Sequence, residues 1–464
     1  MRVLSPFSLI RVAAVGAIVL LAGGASHLTA PTSTDAARLS RPLTPDPRFG
    51  VVEAWRAPRA ASAIGVGWER LTFWWKSIQP DGPNSYNLWA TDRDHEINRE
   101  IAAGRQLVGL LINTPDWAAA NPLQHGNSIP KGLYLPYNDP HNYWGHFVKL
   151  IVAHYKGRIN SWILWNEVTI TSGQWCTWHG SVADYAQLTK VAYLAAKSVN
   201  PQAQIVLYGD PYWYDHGAFF TKLMANLSHA PHAAANHDYF DEANLHLYSR
   251  PSDYQTIITL YNQIMARYGI HKPIWLSETN AIPYNDPIRT YAKAGFFGTM
   301  DDQASYIIEA FSLALALNVQ HIEVNRMVDG TDFTAGGEPF GLLRNNKTAR
   351  PEYYAYQAAT ALYAGVTGGT IHYDKATGVY VVTLHKPGET LTVAWDQRPA
   401  ARTVSIPALS GRATAYDKFG NGNVVRAKGG AYHFTLAPST DNSDPADPKD
   451  YVIGGSPVVL VQTS

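Results

Sequence analysis

The chain has 464 residues, of which 46% are hydrophobic and 16% are charged, so it is typical of a globular protein and unlike a disordered one. This length exceeds what one ordinary core needs and suits a large barrel followed by a smaller domain. The 37 basic and 37 acidic side chains balance, which gives no reason to expect nucleic acid or an anionic membrane as a partner.

The first 30 residues have the pattern of a secretory signal peptide. Arg2 and Arg11 precede an apolar run over residues 12–22, and small residues follow that run. The run is too short to span a bilayer comfortably, so we expect cleavage, with an uncleaved anchor as the alternative. Residues 31–47 are rich in Pro, Thr, Ser and Asp and are predicted to be a linker. The mature chain would be secreted or extracytoplasmic, with no integral membrane span.

Strand-like and helix-like segments alternate through residues 48–365. The strands are predicted at 49–52, 63–67, 106–112, 161–165, 204–208, 243–247, 273–276 and 319–324. Helices are predicted at 92–103, 142–154, 182–198, 254–268 and 302–317. Eight strands that alternate with helices predict an α/β fold of the (β/α)8 barrel type. An open α/β sheet is the alternative, because the connection between the first two strands is short.

The pattern changes in residues 366–464. Short segments there alternate apolar and polar residues, and Gly, Asn, Asp or Pro clusters separate them. Period-two segments at this spacing predict a C-terminal antiparallel β-sandwich. We expect this domain to pack against the barrel, with sugar binding as the alternative role.

Two of the predicted buried strands lead into a glutamate. The fourth strand runs into Asn166 and Glu167, and the seventh runs into Ser277 and Glu278. The spacing between the two glutamates corresponds to three β/α units. They should therefore face each other across the end of the barrel where active sites are built.

Cleavage of a glycosidic bond needs two carboxyl groups of this kind. One protonates the leaving oxygen, and the other attacks the anomeric carbon or activates water. Glu167 is the predicted general acid/base, in a pocket that Trp165 would help to line, and Glu278 is the predicted nucleophile. For either glutamate alone, a structural ion pair is the competing interpretation.

Four polar residues near these strand ends are predicted to support the pair. Asn166 would bind a sugar 2-hydroxyl, with a local turn role as the alternative. Arg70 would donate to the Glu278 carboxylate, with a surface ion pair to Glu69 as the alternative. His246 and Tyr248 lie two residues apart at the end of the sixth strand, so they share a face and could orient Glu278.

Three further residues are candidate substrate contacts. Trp117 and Trp175 follow the third and fourth strands and could stack on a sugar ring. Asp329 follows the eighth strand and could hydrogen-bond a sugar, although a core or surface role is an equal alternative for all three. The histidines show no metal-ligand spacing, and no phosphate-binding loop is present, so neither a metal nor a cofactor is predicted.

The motifs together resemble those of the clan A retaining glycoside hydrolases, most of all family 39 and its relatives. The resemblance rests on Trp165-Asn166-Glu167, Ser277-Glu278-Thr279, Gly67-Trp68-Glu69-Arg70 and Arg326-Met327-Val328-Asp329. It implies a β-barrel core, retention of anomeric configuration and the roles given to the two glutamates.

The resemblance does not extend to the substrate. Members of these families act on β-xylosides, α-iduronides or bacterial exopolysaccharides, and the motifs of the resemblance do not include the loops that select among these substrates. A carbohydrate substrate is expected, while the oligomeric state stays open. A transglycosylase using the same site and a non-catalytic carbohydrate-binding barrel are the competing functions.

Overall fold

The structure is a computed structural model. It describes residues 43–87, 94–173, 175–288, 298–330, 339–440, 442 and 451–463, together with a short strand at Ala37–Arg38. The predicted signal peptide, residues 1–30, lies outside the described residues.

Eight parallel strands form a barrel. They are β1 (Asp46–Val51), β2 (Val66–Trp74), β3 (Gln106–Ile112), β4 (Ser161–Leu164), β5 (Gln204–Val206), β6 (Ala243–Tyr248), β7 (Ile274–Asn280) and β8 (His321–Val324). Their hydrogen-bonded order is β5-β4-β3-β2-β1-β8-β7-β6. Single bridges from Val206 to Glu242 and from Asp210 to Leu245 join the two end strands. The predicted (β/α)8 barrel is therefore confirmed, in place of an open sheet.

Nine helices accompany these strands in the described part of the chain. They are α1 (Pro58–Ala63), α2 (Trp75–Ile78), α3 (Asp94–Ala102), α4 (Tyr143–His154), α5 (Val182–Val199), α6 (Ala218–Ser228), α7 (Tyr254–Arg267), α8 (Met300–Ala316) and α9 (Pro351–Tyr363). The five predicted helices correspond to α3, α4, α5, α7 and α8, to within two residues at each end. None of the helices described here combines the length and the apolar character that crossing a membrane requires.

The second strand differs from its prediction. It was expected at residues 63–67, but α1 extends to Ala63 and β2 runs from Val66 to Trp74. Arg70 therefore lies inside a strand and not in the loop after it. Arg70 is two residues beyond Trp68, so both side chains point into the barrel.

Large apolar side chains fill the barrel below its mouth. This interior cluster consists of Trp68, Val108, Leu110, Ile163, Val206 and Trp275. The rings of Trp68 and Trp275 meet edge to face, with centroids 5.4 Å apart. The cluster forms a solid floor, and polar residues further along the same strands are left at the open end.

The C-terminal residues form the predicted antiparallel sandwich. Its strands are β9 (Gly368–Asp374), β10 (Val379–Lys386), β11 (Glu389–Asp396), β12 (Arg402–Pro407), β13 (Arg412–Tyr416), β14 (Asn421–Arg426), β15 (Ala431–Leu436) and β16 (Val458–Thr463). One sheet has the order β14-β13-β16-β11-β10-β9, and β12 pairs with β15 in a second sheet. Apolar residues of both sheets, including Leu460 and Tyr432, pack between them.

The short N-terminal strand extends the larger sheet of the sandwich. Ala37 and Arg38 pair antiparallel with Gly422 and Asn421 of β14. Part of the predicted linker, residues 31–47, is thus built into a sheet, and β1 already begins at Asp46.

The sandwich packs on α8 of the barrel through buried polar contacts. Lys418 donates to the backbone oxygen of Asp301 at 3.0 Å and to Ser305 Oγ at 2.9 Å. On the same helix, the buried Glu309 carboxylate accepts the backbone N–H of Gly454 at 3.0 Å. These contacts give the C-terminal domain the packing role that the sequence predicted.

Asp329 lies in a buried ion-pair network beyond β8. Its carboxylate accepts Arg350 Nη1 at 2.9 Å and Nη2 at 2.7 Å, and also the backbone N–H of Gly341 at 2.8 Å. Arg350 pairs in turn with Asp286, which also pairs with Arg344. Asp329 is fully buried and fully bonded, so the prediction that it contacts a sugar is wrong. It anchors the start of α9 instead.

We predict that Asp329→Asn destabilises the fold. The change leaves the buried Arg350 without one of its two carboxylates, and breaking a buried ion pair costs about 3–5 kcal/mol. Because Asp286 stays in place, we expect the free energy of unfolding to fall by about 3 kcal/mol in urea titrations. Asp116→Asn is the matched control, since Asp116 pairs with Lys76 at the surface and should cost under about 1 kcal/mol. Unchanged stability of the Asp329 variant would contradict the structural role.

Candidate active site

Glu278 reaches the mouth of the barrel because β7 contains a bulge. Leu276 is in register with Leu245 of β6, but the next paired residues are Glu278 and His246, which leaves Ser277 as an extra residue. Trp275 points into the barrel interior. In a regular strand Glu278 would point to the opposite side, so the bulge turns its side chain inward.

Three side chains surround the Glu278 carboxylate. Arg70 donates from Nη2 to one oxygen, and the hydroxyl of Tyr248 donates to the other. His246 Nδ1 lies 3.5 Å from the second oxygen. The predicted contact from Arg70 is therefore present. The alternative surface pair with Glu69 is not, because Glu69 is buried and accepts the backbone N–H of Trp55 at 2.8 Å.

These neighbours determine the ionisation of Glu278. Burial alone would raise the pKa of this carboxyl group. Electrostatic interactions with His246 and Arg70, together with hydrogen bonds from Tyr248 and Arg70, outweigh burial and lower the pKa to about 2. Glu278 is thus a carboxylate throughout the physiological pH range.

Glu167 is presented by a sharply turned backbone after β4. Trp165 and Glu167 both have left-handed backbone conformations, with φ of 67° and 44°. Such conformations are costly for residues other than glycine and are concentrated at functional sites. The turn sends Trp165 outward, where its Nε1 donates to the backbone oxygen of Thr177 at 2.7 Å. Trp165 is fully buried, so the expectation that it lines a pocket around Glu167 is wrong.

His246 joins the two glutamates. Its Nδ1 lies 2.8 Å from Glu167 Oε1, and its Nε2 lies 3.1 Å from Ser277 Oγ. The ring rests against Gly209 after β5, where a Cβ would lie only 1.8 Å from His246 Nε2. No side chain larger than hydrogen fits at that position. The sequence predicted that His246 orients Glu278, but its shorter contact is to Glu167.

The two carboxylates are close together. One oxygen of Glu167, one oxygen of Glu278 and a ring nitrogen of His246 all lie within 4.8 Å of one another. Three such ligands could in principle hold a cation. However, Arg70 already supplies a positive charge to Glu278, and His246 Nδ1 faces Glu167 as a hydrogen-bond partner. Each of these groups therefore also has a protein partner.

Two residues that the sequence analysis did not select also shape the site. Asn325, directly after β8, donates from Nδ2 to the hydroxyl of Tyr248 at 2.9 Å. Asn280, at the end of β7, donates from its own Nδ2 to the backbone oxygen of Asn325 at 2.8 Å. Asn325 is a polar residue after a barrel strand, as Asn166 is, so the same sequence signal could have identified it.

Glu323 of β8 lies behind Arg70. Its Oε1 accepts the backbone N–H of Arg70 at 3.1 Å, and its side chain is fully buried. Burial raises the pKa of Glu323 well above the usual range, although the charge of Arg70 acts against that increase. The Oε2 atom of Glu323 also lies 3.8 Å from Arg70 Nε, so Arg70 lies between the carboxyl groups of Glu323 and Glu278.

The remaining predicted residues lie at the same end of the barrel. Asn166 is half-buried beside Glu167. Trp117 is half-buried, and its Nε1 donates to the backbone oxygen of Gln79 at 2.7 Å. Trp175, on the loop after β4, is 49% exposed. Of the predicted site residues, Arg70, His246 and Tyr248 contact the carboxylates, Asn166 is adjacent in sequence, and the two tryptophans lie on surrounding loops.

No protein-family model and no curated protein matches the sequence. Solved structures do match the fold. A family 39 glycoside hydrolase from the gut symbiont Bacteroides cellulosilyticus WH2 aligns with a TM-score of 0.65 at 16% identity, over 90% of this chain and 81% of that one. A GH30 endoxylanase from Clostridium papyrosolvens C71 aligns with a TM-score of 0.59 at 13% identity, over 92% of this chain and 98% of the other.

A GH39 β-xylosidase from Caulobacter crescentus also aligns, with a TM-score of 0.55 at 15% identity, over 92% of this chain and 98% of that one. These alignments extend through the barrel and the sandwich together. The resemblance to family 39 that the motifs indicated is confirmed at the level of three-dimensional structure. The chain has the fold of the clan A glycoside hydrolases of families 39 and 30.

Proposed function

We propose that the protein is a retaining glycoside hydrolase in which Glu167 is the general acid/base and Glu278 is the nucleophile. The observation that carries this proposal is the separation of the two carboxylates, whose nearest oxygens lie within 4.8 Å. Retaining enzymes place their carboxyl groups about 5–5.5 Å apart, whereas inverting enzymes need about 6.5–9.5 Å to admit a water molecule. The shorter separation favours direct attack by one carboxylate.

The first step would form a covalent glycosyl-enzyme intermediate. Glu167 transfers its proton to the glycosidic oxygen while a Glu278 oxygen bonds to the anomeric carbon, and the bond to the leaving group breaks. Arg70 and Tyr248 keep Glu278 ionised and hold its carboxylate in place for attack.

The second step would release the sugar. Glu167, now a carboxylate, accepts a proton from water as the water oxygen attacks the anomeric carbon and the bond to Glu278 breaks. His246 Nδ1, at 2.8 Å, can donate to Glu167 while the latter carries its negative charge. Two inversions at one carbon give overall retention.

The solved structures of similar fold include an endoxylanase and a β-xylosidase. We therefore propose a β-linked oligo- or polysaccharide as the substrate of this chain. The signal-like N-terminal sequence supports action outside the cytoplasm, where such polymers occur.

The proposal predicts that each glutamate is essential. Glu167→Gln should lower kcat/KM on a panel of polysaccharides by about 10²–10⁴-fold, as for loss of a general acid, and Glu278→Gln should abolish turnover. On an activated aryl β-glycoside, azide should rescue the alanine variants. The Glu278→Ala product would be the α-glycosyl azide and the Glu167→Ala product the β-glycosyl azide, read by NMR.

Glu389→Gln is the carboxylate control, because Glu389 forms a surface pair with Lys386 in the sandwich and should keep full activity. Treatment with EDTA should leave wild-type turnover unchanged. Full activity of either glutamine variant at the barrel, or loss of activity on chelation, would refute the assignment.

The low pKa of Glu278 predicts a specific pH dependence. With a pKa of about 2, its ionisation does not limit kcat/KM at mildly acid pH. Arg70→Met removes one positive charge and one donor, which should raise the pKa of Glu278 by about 1–3 units. The acid limb of the kcat/KM profile should therefore move to higher pH. An acid limb that stays in place while kcat/KM falls would show that Arg70 does not set this ionisation.

The same pKa bears on stability. Because the folded-state pKa lies below the unfolded value of about 4.3, Glu278 stabilises the fold above that pH. This contribution is lost as the pH falls from about 4.3 toward 2.

Asn325 is predicted to position Tyr248. Asn325→Ala removes the donor that holds the tyrosine oxygen, and Tyr248→Phe removes the donor to Glu278. Each should lower kcat/KM about three- to tenfold, corresponding to a hydrogen bond of about 0.5–1.5 kcal/mol. If Asn325 acts through Tyr248, the double variant should lose less than the product of the two. Asn421→Ala, in the sandwich, is the control, and fully multiplicative losses would contradict the coupling.

A further inference from the structure

Exposed aromatic side chains are concentrated at the end of the barrel that holds the two glutamates. Trp74 ends β2 and is 46% exposed, while Trp213 and Tyr214 follow β5 and are 38% and 57% exposed. Exposed tryptophans are uncommon on a monomeric surface without a partner, and they suit ligands that offer flat apolar faces. The C–H faces of pyranose rings are such surfaces.

The strand order gives the direction in which a substrate must cross the site. Glu167 follows β4 and Glu278 lies in β7, so the line between them spans three of the eight positions in the ring. A chain whose scissile bond lies between the two carboxylates runs across that line. Such a chain would enter over β5 and β6 and leave over β1 and β2. Trp213 lies at the first side and Trp74 at the second.

The fold fixes the backbone of Trp74 and the side chain of Trp213. Trp74 belongs to β2, where it is paired in register with Ile112 of β3. Trp213 packs edge to face with Tyr212 at 5.1 Å, and the guanidinium of Arg250 lies 5.8 Å from its ring centroid. Arg250 is fixed in turn by Asp253 at 2.9 Å. A side chain held like that of Trp213 needs little ordering when a sugar stacks on it.

We propose that this site cuts β-linked polysaccharides internally, with sugars stacked on Trp213 and Trp74 on opposite sides of the scissile bond. The inference rests on the proposed function and extends it to the mode of attack. Stacking on a tryptophan ring on each side of the scissile bond would bind sugars of both products, which internal cleavage requires. An enzyme that removes terminal sugars needs a site that is closed on one side.

The test compares polymers with small substrates. Xylan, barley β-glucan and galactomannan are the polymer probes, and 4-nitrophenyl β-glycosides are the small ones. We expect wild-type enzyme to release fragments of mixed length from at least one polymer at early times. Trp74→Ala and Trp213→Ala should each lower the ratio of polymer to aryl-glycoside kcat/KM about tenfold, mainly through KM. Tyr354→Ala, an equally exposed aromatic on α9, is the control and should leave this ratio unchanged.

Three results would overturn the inference while the proposed function stands. They are release of only terminal sugars, turnover of aryl glycosides with no polymer cleavage, and equal losses on both substrate types in the tryptophan variants. Absence of turnover on every substrate would instead refute the proposed function. In that case, affinity electrophoresis of the Glu278→Gln variant in gels that contain each polymer still tests whether the polymer binds across the two tryptophans. If a polymer slows migration of this variant and either tryptophan substitution removes the effect, the proposed binding path is supported. If no polymer slows migration, the binding path is refuted.

Discussion

The contact between Arg70 and Glu278 is the interaction on which the rest of the site depends. Burial alone would raise the pKa of the Glu278 carboxyl group, whose side chain is 13% exposed, and a protonated carboxyl group cannot attack a sugar. The charges of His246 and Arg70 and the hydrogen bonds from Tyr248 and Arg70 prevent protonation by lowering the pKa of Glu278. Glu323 lies behind Arg70, where burial raises the pKa of its carboxyl group and the charge of Arg70 opposes that increase. A buried nucleophile is thus kept charged by a small number of fixed groups.

The barrel supplies the rigidity that these groups need. Trp68 lies directly beneath Arg70 on β2, and Trp275 lies three residues before Glu278 on β7. The edge-to-face contact of these two rings therefore ties the strand of the arginine to the strand of the glutamate. Small displacements of either strand would separate Arg70 from Glu278. The packing of the interior cluster and the ionisation of the nucleophile are therefore coupled.

Much of this could be predicted from the sequence, because the strands and helices have strong periodicity and the glutamates occur at matching places in their units. The failures have local causes. The bulge at Ser277 and the left-handed turns at Trp165 and Glu167 break the alternation from which side-chain directions are inferred. The role of Asp329 was predicted wrongly because its partner, Arg350, is adjacent in space but separated from it along the chain. Nothing in the sequence shows that this pair is buried.

The strand at Ala37–Arg38 has a consequence for the behaviour of the protein in solution. Without it, the backbone groups along the start of β14 would form an open sheet edge, which is a template for aggregation between molecules. Two residues near the N-terminus shield that edge. A molecule that had lost them would expose this edge and be more prone to self-association.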